Sequence, residues 1–328
     1  MRTLAVFAIL VAALVVSAAA GIFVGAVPLA PGDVIGALFG SDTTSGTIIR
    51  ELRLPRVLGA ALVGSALAGA GALLQGLLRN PLADPFVTGT SAGASLGAVI
   101  AVAVGASAAV VPLAAFVGAM LSIALVWRLA RLGGRTTVLT VLLGGVVLTS
   151  FSGAVVTFVL VSSDRLALRL RAVLGWLQGG VSVISWSELL VATLVVAIGI
   201  AAALLLAPRI DAYAFGEETA ASLGIDLDRT TAAVLATTAL LTGAAVAIAG
   251  LIGFVSLVVP HALRFLLGAT HRRLLVASLP AGALVLVLAD LGARTLLAPA
   301  ELPVGVITGL IGAPFFLMLL VRSRQVIV

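Results

Sequence analysis

The sequence predicts an all-α, polytopic membrane protein of about ten transmembrane helices with an inverted internal repeat. Three observations carry that fold class. Apolar residues make up 62 % of the chain, charged residues 10 %, and the mean hydropathy is +1.29, far outside the range of soluble domains. Apolar windows long enough to cross a bilayer recur from end to end. Shifting the chain by 179 residues aligns twelve identities in thirty positions, from Ala60 on Ala239 to Gly89 on Gly268. The whole chain, 1–328, reads as one transmembrane domain, with repeat copies near 56–90 and 235–269.

Windows of about twenty residues place spans near 4–27, 56–78, 87–105, 109–130, 137–161, 188–207, 231–251, 252–268, 274–297 and 304–321. The first begins with Arg2 and small residues at Ala18–Ala20, like a secretory signal. Its apolar run continues to Val27, so it is expected to remain as an uncleaved helix. The stretch from Gln75 to Ser95 interrupts the apolar pattern: Asn80, Pro81, Asp84 and Pro85 end one helix. Gly89, Gly93, Gly97, Ala101 and Gly105 then recur every four residues, a face that another backbone can approach closely. Thr137 and Thr140 open the fifth span. The eighth reads as a broken span because it holds Gly253, Pro260, His261 and Arg264, and the shift lays Pro260 on Pro81. Five spans between the two copies give them opposite directions in the membrane.

Two insertions lie outside the spans. Residues 161–187, with Arg165, Arg169, Arg171, Trp176 and Trp186, read as an interfacial helix with an aromatic anchor. Residues 208–229 form the longest polar segment on the side expected to be cytoplasmic. Glu217 and Glu218, then Gly224 and Asp226, predict two short helices at an angle, a docking surface. Of nineteen arginines, twelve fall on the face of the termini and seven opposite, which puts both termini and segment 208–229 in the cytoplasm.

There is no cysteine and no lysine. That excludes thiolate chemistry, a P-loop and a lysine Schiff base. Two histidines and scattered acids assemble no catalytic or metal constellation, and no cofactor is expected. Asp290 is the one acid well inside a span, four residues before Arg294 and in a favourable pairing order. One titratable span residue gives little support to an ion-coupled secondary transporter, the alternative that the repeat alone would allow. A channel filter motif is also absent.

RLPRVLGAALVGSALAGAGALLQGLLRNPLADP, GEETAASLG, GFVSLVVPHALRFLLGATHRRLL and ADLGARTLLAPAELPVGVITGLIGAPFFLMLL together resemble the FecCD-type permeases. These are membrane subunits of ATP-binding-cassette importers for iron-siderophores, haem and cobalamin. The resemblance implies a permease without enzymatic activity, located in a bacterial or archaeal cell membrane. It implies a second permease subunit in a homodimer or a closely related heterodimer, two cytoplasmic ATPase subunits and an external substrate-binding protein, and no nucleic acid. Among the substrates the iron-siderophore is favoured. Carried over residue by residue, it makes Arg53, Arg56 and Arg294 contacts for the binding protein. Gly216, Glu217, Glu218, Ala221, Leu223 and Gly224 become the ATPase coupling segment. Asn80, Pro81 and Pro260 become pathway or gate residues.

Overall fold

A computed structural model describes residues 2–25, 27–40, 43–131, 138–162, 173–181, 185–268 and 270–324. The helices in chain order are α1 (Arg2–Phe23), α2 (Pro31–Leu38), α3 (Thr44–Thr47), α4 (Leu54–Leu77), α5 (Thr90–Ala103) and α6 (Val110–Arg131). They continue as α7 (Val138–Ser162), α8 (Trp186–Tyr213), α9 (Glu217–Ser222), α10 (Leu227–Ala249), α11 (Val255–Leu267), α12 (His271–Thr295) and α13 (Val304–Arg324). Ten of them answer to the ten expected spans. Seven are long and apolar enough to cross a membrane; α5, α11 and the apolar part of α13 are shorter. No strand occurs among the described residues.

Burial sorts the helices. The most apolar window of the segment containing α4 is 78 % buried, that of α1 only 6 %. So α4 is the axis of the bundle, in contact with α8, α10, α11 and α12, while α1 lies on its outside against α12. Small residues make the tight contacts possible. A Cβ added at Gly64 would lie 2.1 Å from the Gly282 carbonyl oxygen, so α4 and α12 touch backbone to backbone. The glycine face of α5 does the same on α6, where a Cβ on Gly93 would meet the Gly118 oxygen at 2.2 Å.

Four features differ from the sequence reading. The connection between the first two spans is structured: α2 and α3 lead into a π-helical turn, Ile48–Arg53, and Val34, Ala37 and Ile49 form a small core there with Ile22 and Leu29. Its residues are too polar and too few for a span, so hydropathy passes over them. Helix α8 runs through Pro208 to Tyr213, past the expected end at 207. The second of the two short helices expected near Asp226 is the first turn of α10, with the Asp226 side chain accepting from Arg229 N–H. Finally, α11 runs unbroken through Pro260, and the chain breaks earlier, at 250–254, where Gly250 (φ +63) and Phe254 (φ +70) turn it. Of the expected interfacial segment, residues 173–177 form a short helical stretch, with Trp176 half-buried and Trp186 exposed, while Arg165, Arg169 and Arg171, as well as Thr137, lie outside the described residues.

Candidate functional site

The ends of the bundle are polar, and the candidate side chains lie at three places. The first is the interruption after α4. Leu77 ends that helix, Arg79 adopts φ +46, and Pro85–Thr88 make a single 3-10 turn before α5. Asn80 Oδ1 accepts from Leu82 N–H (2.9 Å), and Asp84 Oδ1 accepts from Phe86 N–H (2.7 Å). The chain thus uses its own side chains to replace the helix pairing that proline removes.

Pro260 explains why this turn is docked on α11. A proline six residues into that helix has no N–H for the carbonyl four residues back, which is that of Ser256. The fully buried Gln75 of α4 supplies the missing donor: its Nε2 lies 3.3 Å from Ser256 O and 3.1 Å from Leu257 O. Its Oε1 accepts from Arg264 Nη2 at 3.3 Å, and Ser256 Oγ donates to Asp84 Oδ2 at 2.8 Å. Burial pushes the Asp84 carboxyl up from the ordinary aspartate range, opposed by the bonds from Phe86 N–H and Ser256 Oγ. Gln75 and Asp84 therefore tie the interruption that carries Asn80 and Pro81 to the Pro260 helix through one buried polar knot. Pro260 lies within a helix and Pro81 in a turn, so the residues the 179-residue shift superposes differ in conformation. Replacing Gln75 with leucine leaves a buried carbonyl unpaired and is expected to cost about 1–3 kcal/mol. An unchanged thermal unfolding midpoint in detergent would speak against the Gln75 bridge.

The second place is the end holding residues 208–229. Gly216 (φ +107) and Gly224 (φ +81) bracket α9, a backbone conformation in which a side chain is strained. Glu217, Glu218, Ala221 and Leu223 are exposed, while Ala220 is buried beneath them. The segment is held from several sides: Arg79 Nη2 to Glu217 Oε1 at 3.2 Å, Tyr213 Oη to Leu227 O at 3.0 Å, and His271 N–H to Asp211 Oδ1 at 2.7 Å. It is a fixed projection, with Phe215 and Leu223 as exposed apolar side chains.

At the opposite end stand the three arginines. Arg53 is 5 % exposed and donates through Nη1 to the carbonyls of Ile22 (2.8 Å) and Phe23 (3.0 Å), and through Nη2 to that of Val27. Arg294 is 4 % exposed and donates through Nη2 to Gly21 O at 3.2 Å. Two cations thus cap the C-terminal carbonyls of α1, where orphan acceptors and the negative end of the helix dipole attract them. Gly25 gives Arg53 its space, since a Cβ there would lie 2.9 Å from Arg53 Nη2. Arg56 is 14 % exposed and pairs through Nε with Asp290 Oδ1 at 3.0 Å and through Nη1 with Glu301 Oε2 at 2.9 Å. Asp290, 1 % exposed, also lies 3.0 Å from Arg294 Nε, an ion pair off hydrogen-bond alignment.

Two of the three expected arginines, Arg56 and Arg294, meet at the buried Asp290, the second as its i,i+4 spacing signalled, whereas Arg53 turns to the α1 carbonyls. Sequence reasoning missed Glu301 and the role of the α1 carbonyls. Gln75, Asp84 and Ser256 were missed as a network as well. Proline inside an apolar run, with a lone glutamine on a neighbouring helix, is the signal that could have found it.

The comparisons with known proteins agree with this architecture. The description of the FecCD transport family matches residues 9–322, and the chain belongs to that family. The cobalamin import permease of Halobacterium salinarum is 44 % identical over 88 % of this chain and 77 % of its own length. The hemin transport permease of Yersinia pestis is 40 % identical over 84 % of this chain and 83 % of its own length. A solved chain described as an inward-facing metal-chelate type ABC transporter superposes with a TM-score of 0.85 at 29 % identity, covering 96 % of this chain and 98 % of that one. The protein is thus a multi-pass membrane permease of the ABC importer class.

Proposed function

We infer that this chain is the membrane subunit of an ATP-binding-cassette importer and provides the pathway for a bulky metal chelate. The observation that carries this reading is the family match across residues 9–322. The relatives divide among cobalamin, haem and iron-hydroxamate permeases, and a large metal chelate is what these cargoes share. An iron-siderophore, haem or cobalamin would be handed over by an external binding protein. Two copies of the chain would pair through α7 and α13, which turn Leu143, Val147, Phe151, Leu310, Ile311 and Met318 outward. The termini and segment 208–229 would face the cytoplasm, a reading supported by the arginine distribution, in a bacterial or archaeal cell membrane. The α4–turn–α5 and α10–α11 regions would be the inverted copies, with Asn80, Pro81 and Pro260 beside the pathway.

Gly216–Gly224 would seat in each of two ATPase subunits. Its support is rigidity together with exposed carboxylates and apolar side chains at the end of α8. Arg53, Arg56 and Arg294 would define the face for the binding protein, with Arg56 nearest the surface.

Uptake of radiolabelled cobalamin, haemin and a ferric hydroxamate into proteoliposomes holding the permease, its ATPase and its binding protein tests the reading. One chelate should accumulate, and only with ATP. Uptake that persisted without the ATPase, or followed a proton gradient, would favour the ion-coupled alternative. Replacing Glu217 and Glu218 with arginine sets like charge against the ATPase and is expected to weaken its association by roughly tenfold or more. Pull-down of the ATPase by the detergent-solubilised permease reads this out, and undiminished capture would remove the segment from the interface.

A further inference from the structure

The arginines at the outer end have unequal freedom. The guanidiniums of Arg53 and Arg294 are committed to the carbonyls of α1 and to Asp290, beneath the surface. Arg56 is anchored on one edge and answerable on the other. Its Nε is fixed on the buried Asp290, while its Nη1 reaches a glutamate that is 46 % exposed, with 2.9 Å to Oε2 and 3.3 Å to Oε1.

The position of Glu301 is set by its own turn. Leu302 N–H donates to Ala293 O, closing the turn onto the end of α12, and Ala300 N–H donates to Leu297 O, both at 2.9 Å. Leu296 and Leu297, in the same turn, are large apolar side chains left exposed. Arg56, Arg294, Asp290 and Glu301 form a neutral quartet. If Glu301 moved into solvent, the quartet would hold one net positive charge and an unpaired guanidinium edge aimed at the surface. A carboxylate is the group that fits that edge, because its two oxygens match the guanidinium fork.

We propose that Glu301 is an internal stand-in for a carboxylate of an acidic protein partner at this face. On docking, the partner's carboxylate takes the Nη1 edge of Arg56 and Glu301 turns out to water, with Leu296 and Leu297 covered at the rim. This rests on the reading of the Arg56 end as the face for the external binding protein. Exposed ion pairs hold by a factor of only about 1.5 to 5, so the exchange is easily reversible. Until a partner arrives, Glu301 keeps the buried part of the cluster neutral.

The test uses the permease in lipid nanodiscs and the purified binding protein of the same system. Glu301→Gln removes the competitor and should speed association about two- to fivefold at low salt, with the gain fading at high salt. Arg56→Gln should slow association, and the double variant should behave as Arg56→Gln alone. Slower association by Glu301→Gln, or additive effects in the double variant, would overturn the stand-in. Failure of the binding protein to engage the unmodified permease would overturn the docking reading and the inference together. Normal engagement with no effect of Glu301→Gln would sink the inference only. A partner-free arm uses phenylglyoxal, a small arginine reagent, with peptide mass spectrometry. Labelling of Arg56 should rise in Glu301→Gln while Arg53 and Arg294 stay protected; unchanged labelling of Arg56 would disprove the shielding.

Discussion

Replacement of Asp290 by alanine is expected to destabilise the protein by about 3–5 kcal/mol, the usual consequence of removing one partner from a buried ion pair. Asp290 is 1 % exposed and lies 3.0 Å from both Arg56 Nε and Arg294 Nε. Arg56 keeps Glu301 when the aspartate is lost, so the damage falls on Arg294. That side chain stays buried at the top of α12 with only the carbonyls of α1 as partners. The single change therefore strands one cation rather than two. A second substitution that removes it, Arg294→Met, should return part of the loss in the Asp290→Ala background, although the cap on α1 is then weaker. Thermal unfolding of the purified permease without any partner measures both variants against the unmodified protein. Equal midpoints for Asp290→Ala and the unmodified protein would mean that solvent reaches the cluster and that it contributes little.

The same cluster shows which parts of the fold were legible in the sequence. Span number and order follow from hydropathy, because lipid leaves a backbone few choices, and all ten expected helices are present near their expected positions. The projection at Gly216–Gly224 was legible for a similar reason: a polar run between two apolar helices has nowhere to go but out of the membrane. What was not legible is where a polar side chain turns. Arg53 and Arg56 are three residues apart on consecutive helical turns, yet one caps α1 thirty residues earlier and the other reaches Asp290, 234 residues later. Flanking charge reads the same in either case. Pro260 misled for a related reason. Proline was taken to break the helix, but the carbonyl it frees is paired by Gln75, 181 residues away in sequence. The break falls instead on Gly250 and Phe254, whose positive φ values no apolar pattern announces.

Gly64→Leu is expected to abolish recovery of folded protein. A Cβ at this position would lie 2.1 Å from Gly282 O and 2.6 Å from its carbonyl carbon, with Leu286 Cβ at 2.9 Å. From the other side, a Cβ on Gly282 would stand 2.2 Å from Gly64 O. Both obstacles are backbone, so no rotamer change relieves them and α4 and α12 must separate. Overpacking a core costs about 1–3 kcal/mol where side chains can adjust, and here the adjustment would have to come from the central helix pair. Separation would also loosen Ser65 Oγ from Leu279 O, 3.0 Å apart on the same contact. Gly69 is the control. Its nearest neighbour is the side-chain carbon Leu279 Cδ2 at 3.2 Å, which can shift by a few tenths of an ångström, so Gly69→Ala should fold. Size-exclusion profiles of the two variants, expressed side by side as fluorescent fusions, decide the matter. A monodisperse Gly64→Leu peak matching that of Gly69→Ala would show that α4 and α12 are not in backbone contact. The result bears on mechanism as well as on stability. If the chain lines a pathway as proposed, its opening would fall on helices outside the α4–α12 pair, such as α7 and α13, which make little contact with α4.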